Sequence, residues 1–85
     1  MYALYVLYSE SCARHYIGIT KDVKNRVAEH NAGEVRSTKA YRPWSVVRTE
    51  IFPDKTSARK REIFLKKNAR ARKDLFENIH HGPIV

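Results

Sequence analysis

Apolar positions along this chain fall into two spacings. Residues 2–8, Tyr-Ala-Leu-Tyr-Val-Leu-Tyr, are an almost unbroken aromatic and aliphatic run, the pattern of a strand buried on both faces. Ser9 to Ala13 is small and polar and suits a hairpin loop. Arg14 to Thr20 then resumes as a second strand, antiparallel to the first. Strand side chains alternate faces, so Ala3, Tyr5 and Leu7 share one face, and Tyr16, Gly18 and Thr20 share one on the partner. The period next becomes helical. Val23, Arg26, Val27 and His30 fall at i, i+3, i+4 and i+7, with Thr20 or Asp22 as cap and Gly33 closing a helix that runs to about Asn31. Two members of that stripe are polar, which is odd for a face meant only to pack. Trp44 to Phe52 reads as a third strand, stopped by Pro53-Asp54. A second helix starts near Lys55, and a bend near Asn68 separates it from a further helix reaching about Phe76. The order β-β-α-β-α-α predicts an α/β (α+β) domain, a three-stranded antiparallel sheet flanked by helices.

Length and charge narrow this picture. Eighty-five residues allow one domain, 1–85, with a tail from about residue 79 that holds Gly82-Pro83 and is expected to fray. Hydrophobic residues make up 42% of the chain, enough to fold rather than stay disordered. A net charge of +8 on so small a surface points to an anionic partner, with nucleic acid, DNA or RNA alike, the expected one. The single cysteine, Cys12, excludes an intramolecular disulfide and a Cys/His zinc framework. No signal pattern opens the chain and no run approaches the ~18 apolar residues of a membrane span, so the expectation is a cytoplasmic protein with no membrane partner.

Several polar residues then stand out. Between Lys55 and Lys73 there are nine Lys or Arg and a single acid, Glu62. With Ala58, Leu65 and Ala69 it lies on the inward helical stripe, where a carboxylate is costly unless paired or bound to metal. An ion pair with Arg26 or a neighbouring Lys or Arg explains it as well as a metal does. Arg26 and His30 lie one turn apart on one helix face. A guanidinium can grip phosphate bidentately, and an imidazole can move a proton near neutral pH. A solvated arginine and a histidine at a helix end are the plainer reading. Tyr5 and Tyr16 are either packing residues or phenols that orient or deprotonate a water. Gly18 within a strand marks a close approach of ligand or backbone. His15, His80 and His81 lack metal-ligand spacing and read as surface residues, and Trp44 reads as core.

Taken in order, Ala3-Leu4-Tyr5, Tyr16-Ile17-Gly18, Arg26, His30 and Glu62 resemble the GIY-YIG nuclease family over roughly residues 3 to 78, with closest likeness to small stand-alone bacterial members. The resemblance implies phosphodiester hydrolysis with one divalent metal, Mg²⁺ or Mn²⁺. It implies Glu62 as metal ligand, Arg26 on the scissile phosphate, and Tyr5 and Tyr16 on the water with His30 assisting. Gly18 would leave room for substrate or metal-bound water. Ala3-Leu4 replaces Gly-Ile, and Ile19 stands where some members carry lysine. An active-site asparagine is expected after the glutamate helix, and Asn78 is preferred over Asn68. The resulting expectation is a metal-dependent endonuclease acting on DNA, single-stranded or branched forms included. Lys39, Arg42, Lys66, Lys67, Arg70, Arg72 and Lys73 would contact the nucleic-acid backbone. A catalytically weak nucleic-acid-binding module and an RNase are the alternatives.

Overall fold

The apolar run at the start of the chain becomes the middle of the sheet. In the computed structural model, which describes residues 1–81, β1 (Tyr2–Ser9) is flanked by β2 (Arg14–Thr20) and β3 (Ser45–Phe52), both antiparallel to it. A central strand is covered on both faces, and Ala3 to Leu7 are all buried. The pairing Tyr5↔Gly18 and Leu7↔Tyr16 places these four residues on one face, as the alternation requires. Pairing with β3 slips between Val6 and Leu7, where Val6 faces Arg48 and Leu7 faces Val46. Val47 is the extra residue of that bulge.

Each face of the sheet has its own core. Leu4, Val6 and Ile17 point to one side and pack with Leu65 of α2 (Lys55–Lys67) and Leu75 of α3 (Ala69–His81). Tyr5 and Leu7 point to the other and pack with Trp44, Tyr16, Tyr41, and Val23 and Val27 of α1 (Val23–Ala32). The stripe read from the sequence is therefore the buried side of α1.

The helix ends have local causes. Asp22, not Thr20, caps α1, its carboxylate accepting from the Asn25 amide at 3.1 Å. Gly33 closes α1 at φ 81, the left-handed conformation that glycine adopts without steric cost. Asp54 caps α2 by accepting from Ser57 N at 2.8 Å. Asn68 breaks the helical run and caps α3 by accepting from Ala71 N at 2.9 Å. At the far end of the break, Arg72 Nη1 donates to the Leu65 and Lys66 carbonyls, filling two positions that the end of α2 leaves open. Ala69 is a departure from the inward stripe. It is exposed, because the chain leaves the α2 axis at Asn68.

The segment between α1 and β3 is a turn leading into a single 3-10 turn at Lys39–Tyr41. Asn31 holds it closed: its side chain donates to Trp44 O and accepts from Trp44 N. On the opposite side, Glu50 of β3 accepts from Arg61 of α2 and from Arg48. Burial raises the Glu50 pKa, but these two guanidinium partners outweigh it and hold the carboxyl below its usual range. Helix α3 continues through His81, and residues 82–85 of the expected tail lie outside the described residues. Among the described residues no helix is long and apolar enough to cross a membrane.

Candidate active site

Tyr5, at the centre of β1, is buried, and its ring fills the space in front of Gly18. A Cβ added to Gly18 would sit 2.6 Å from the Tyr5 hydroxyl oxygen and 3.0 Å from Tyr16 Cε1. The missing side chain thus makes room first for the two tyrosines. The ring centroids of Tyr5 and Tyr16 are 6.2 Å apart. His30, fully buried at the last turn of α1, meets both: its Nε2 lies 2.9 Å from Tyr5 Oη, and its ring is 4.8 Å from that of Tyr16. Arg26, one turn earlier, lies close enough to the Tyr5 hydroxyl to favour its ionised form. Burial dominates nonetheless, and the Tyr5 pKa is pushed up to about 12. Burial, and then the Arg26 charge, lower the pKa of His30. At neutral pH, Tyr5 is a phenol and His30 a neutral imidazole.

Glu62 approaches from the other helix layer. It is buried on α2, between Ala58 and Leu65, and its charge is among the influences that raise the Tyr5 pKa. The ion-pair partners are not Arg26 but Arg59 and Lys66, at i−3 and i+4, each 3.1 Å from one carboxylate oxygen. Both cations are more than half exposed, whereas Glu62 is not. That spacing is legible in sequence as a helical pair on either side of the acid. Arg26 spends one nitrogen on Glu29, at 2.9 Å.

Two cavities flank this centre. One, of about 500 Å³, joins α1 to α2 and is lined by Arg26, Asn25, Thr20, Lys55 and Arg59 among others. Another of about 500 Å³ runs from Tyr16 along β2, between Arg14, Lys66, Arg72 and Phe76. A third, of about 620 Å³, lies over the loop after α1, lined by Arg36, Lys39 and Arg42. No ion pair engages these three cations among the described residues.

The remaining expectations divide. Lys67 and Arg70 are exposed on the α2–α3 junction, and Lys73 sits 3.9 Å from Glu77. Arg72 is engaged at the α2 end, and Lys66 on Glu62. Asn68 is spent as a cap. Asn78 is exposed on α3, and no hydrogen bond ties it to the tyrosines among the described residues. Trp44 is core, with Nε1 donating to Thr38 O at 3.0 Å, and Cys12 is an exposed free thiol. Sequence reasoning missed Thr38, which contacts His30 Nδ1 at 2.7 Å. No periodicity links the two residues, because a loop brings them together. It also missed that His15 and His80 meet, Nε2 to Nε2 at 2.7 Å, with His15 stacked on Phe76.

A central-strand tyrosine opposite a glycine, a second tyrosine beside it on the neighbouring strand, an Arg/His helix and a buried glutamate on a later helix follow the order that resembles a nuclease domain. The GIY-YIG catalytic domain model matches residues 1–74, and the chain belongs to that family. Its relatives are UPF0213 proteins. The one from Halobacterium salinarum is 40% identical over 75 residues, which span 87% of this chain and 96% of that protein. The one from Natronomonas pharaonis is 42% identical over 77 residues, 87% of this chain and 91% of its own. Among solved structures, the solution NMR structure of a UPF0213 protein from Bacillus halodurans aligns with a TM-score of 0.57 at 29% identity, covering 98% of this chain and 89% of the other.

Proposed function

We propose that this chain is a divalent-metal-dependent endonuclease that hydrolyses phosphodiester bonds in DNA in the cytoplasm, with single-stranded and branched DNA among its substrates. The observation that carries this reading is the cluster of Tyr5, Tyr16 and His30, with Arg26 and Glu62 near enough for their charges to act on Tyr5. Arg26 offers planar donors to a scissile phosphate and stabilises charge as it grows on the phosphoryl oxygens. Tyr5, with a pKa of about 12, cannot stand as a phenolate at neutral pH. It can accept a proton from an attacking water only while passing its own to His30 Nε2, 2.9 Å away. Tyr16, beside Tyr5 and among the residues lining the cavity along β2, would orient that water. Lys39 and Arg42 on the loop, and Lys67, Arg70 and Lys73 beside α2 and α3, would hold flanking phosphates, contacts that carry no sequence information.

The donor set for a metal is sparse. No cluster of three or more His, Cys, Asp or Glu side chains converges among the described residues. One carboxylate nonetheless fits Mg²⁺, which keeps several waters and takes one or two carboxylates plus substrate phosphates. Glu62 is the residue that would hold Mg²⁺ or Mn²⁺, which when bound supplies Lewis-acid stabilisation of the leaving oxygen. Arg59 and Lys66, being largely exposed, can release its oxygens to water or phosphate.

The same double ion pair favours a second reading, a nucleic-acid-binding module in which Glu62 is structural. Glu62→Gln separates the two readings. Cleavage of labelled single-stranded DNA, duplex, flap and RNA is followed across a Mg²⁺ and Mn²⁺ titration, alongside metal-free DNA affinity and melting temperature. The nuclease reading expects metal-dependent cutting by the wild type, and a variant that folds, binds DNA and does not cut. A variant cutting at the wild-type rate defeats the metal role, and RNA cut in preference to DNA replaces the substrate.

A further inference from the structure

Thr38 belongs to none of the sequence motifs, yet it is 1% exposed and is the second polar neighbour of His30. We propose that Thr38 is a positioning residue that fixes the tautomer of His30, so that Nδ1 carries the proton and Nε2 is the bare acceptor facing Tyr5. The inference rests in its functional consequence on the nuclease reading, but not in its chemistry.

Counting donors sets the direction of each bond. A threonine hydroxyl has one proton to give. Thr38 Oγ1 gives it to the Val35 carbonyl, at 3.3 Å, since a carbonyl can only accept. With that proton so engaged, its contact with His30 Nδ1, at 2.7 Å, is assigned as one in which the nitrogen donates and the hydroxyl oxygen accepts. A neutral imidazole carries one N–H, so Nε2 is left with its lone pair. Burial and the Arg26 charge, which lower the His30 pKa, keep the ring neutral near pH 7. At the other end, the Tyr5 hydroxyl lies 2.9 Å from His30 Nε2, and the positive charge of Arg26 acts on its oxygen. A nearby cation favours the oxygen facing it and the proton turned away, which directs the Tyr5 proton to Nε2. The Arg26 charge and the Thr38 contact favour the same direction. Protons point from Tyr5 to His30, from His30 to Thr38, and from Thr38 to the Val35 carbonyl.

The fold supplies this arrangement through the loop after α1. Asn31 pins Trp44, and Trp44 Nε1 donates to the Thr38 carbonyl at 3.0 Å. Thr38 is therefore held from its backbone as well as its side chain. Without it, Nδ1 would lose its acceptor and the ring could carry its proton on Nε2. Tyr5 would then face an N–H and could not pass its proton on. With it, a proton leaving Tyr5 Oη for Nε2 gives a phenolate beside Arg26 and an imidazolium whose Nδ1–H stays on Thr38.

The test is ¹⁵N NMR of the imidazole nitrogens in the full chain at pH 7 to 8, with Thr38→Val and Thr38→Ser beside the wild type. The expected wild-type spectrum has a protonated Nδ1 and an unprotonated Nε2 at His30. In Thr38→Val the population should move towards the Nε2–H form, and metal-dependent cleavage should fall by at least ~10-fold. Thr38→Ser, which restores the hydroxyl, should recover both. A wild-type His30 protonated on Nε2 overturns the assignment even if neither variant folds. So does a folded Thr38→Val with an unchanged tautomer. The expected tautomer in a chain that cuts nothing supports the Thr38 assignment and counts against the nuclease reading alone.

Discussion

Leu4 and Tyr5 are neighbours in the same strand, and both are buried, yet they face different kinds of interior. On the Leu4 side the contacts are aliphatic: Val6, Ile17, Leu65 and Leu75 exclude water and do little else. On the Tyr5 side, buried side chains carry hydroxyls and an imidazole, each satisfied by another, and no buried side-chain nitrogen or oxygen is left without a partner among the described residues. An apolar face tolerates imperfect geometry, because burial is non-directional. A buried polar network does not, since every lost partner leaves a group desolvated and unpaired. A domain of this size thus divides one strand between an aliphatic interior and a hydrogen-bonded one. Alternation keeps the two sets of strand side chains apart, and Glu62, buried beside Leu65 on α2, is the point where the faces can communicate.

The sharpest way to break this division is on the apolar face. Leu65→Ala should cost ~2–5 kcal/mol of stability. Below its lowered melting temperature, the variant should still cut DNA at close to the wild-type rate per folded molecule. Denaturant unfolding with parallel cleavage assays checks both, and a matching loss of activity would show that the faces are coupled.

On the polar face the expected sizes reverse. Tyr5→Phe and Tyr16→Phe keep the rings, and at least one should lower cleavage by ~10²-fold. Tyr5→Phe also leaves His30 Nε2 without its donor, which should cost ~1–3 kcal/mol. Wild-type rates in both single variants would return the two tyrosines to packing.

Gly18→Ala tests the place where the two tyrosines need space. The new methyl would meet the Tyr5 hydroxyl oxygen at 2.6 Å, and the side chain that must yield is part of the buried hydrogen-bonded chain. Overpacking there should cost ~1–3 kcal/mol, and the His30 NMR signals should shift. A variant with unchanged melting and unchanged His30 signals would mean the ring can move freely.

The smallest effect is a pH dependence shared by both faces. His30 on the tyrosine face and His15 on the α3 face both have lowered pKa values, chiefly from burial, aided by Arg26 at His30 and by His80 at His15. Glu29 opposes the shift at His30, and the neighbouring Tyr5 stays neutral in this range. A depressed histidine binds its proton more readily in the unfolded chain. Stability should therefore fall as pH drops through about 6.5, and level off below the folded-state pKa. Melting temperatures between pH 7.5 and 5.5 avoid the carboxylates. His15→Phe should remove part of the slope and leave cleavage unchanged, and an unaltered slope would assign all of it to the tyrosine face.

Much of this molecule follows from local pattern. The three strands, the three helices, the Asp54 start of α2 and the break at Asn68 are all written in periodicity and capping chemistry, which act over a few residues. Alternation along β1 and β2 is enough to put Tyr5, Tyr16 and Gly18 on one face, and one helical turn joins Arg26 to His30. Glu62 stands out as the lone acid among cations, but the sequence leaves its partners open. The structure chooses Arg59 and Lys66 over Arg26, because helix neighbours reach the carboxylate while Arg26 is held by Glu29. The roles of Asn68 and Arg72 change in the same way, from candidate contacts to the chemistry of a helix junction. Thr38 is beyond sequence reasoning altogether. It meets His30 across a turn, and no periodicity reports which side chain a loop carries inward. Local rules decide where elements begin and which way their residues point. Hydrogen bonds between elements form only when the whole chain closes, and in this protein they orient the site.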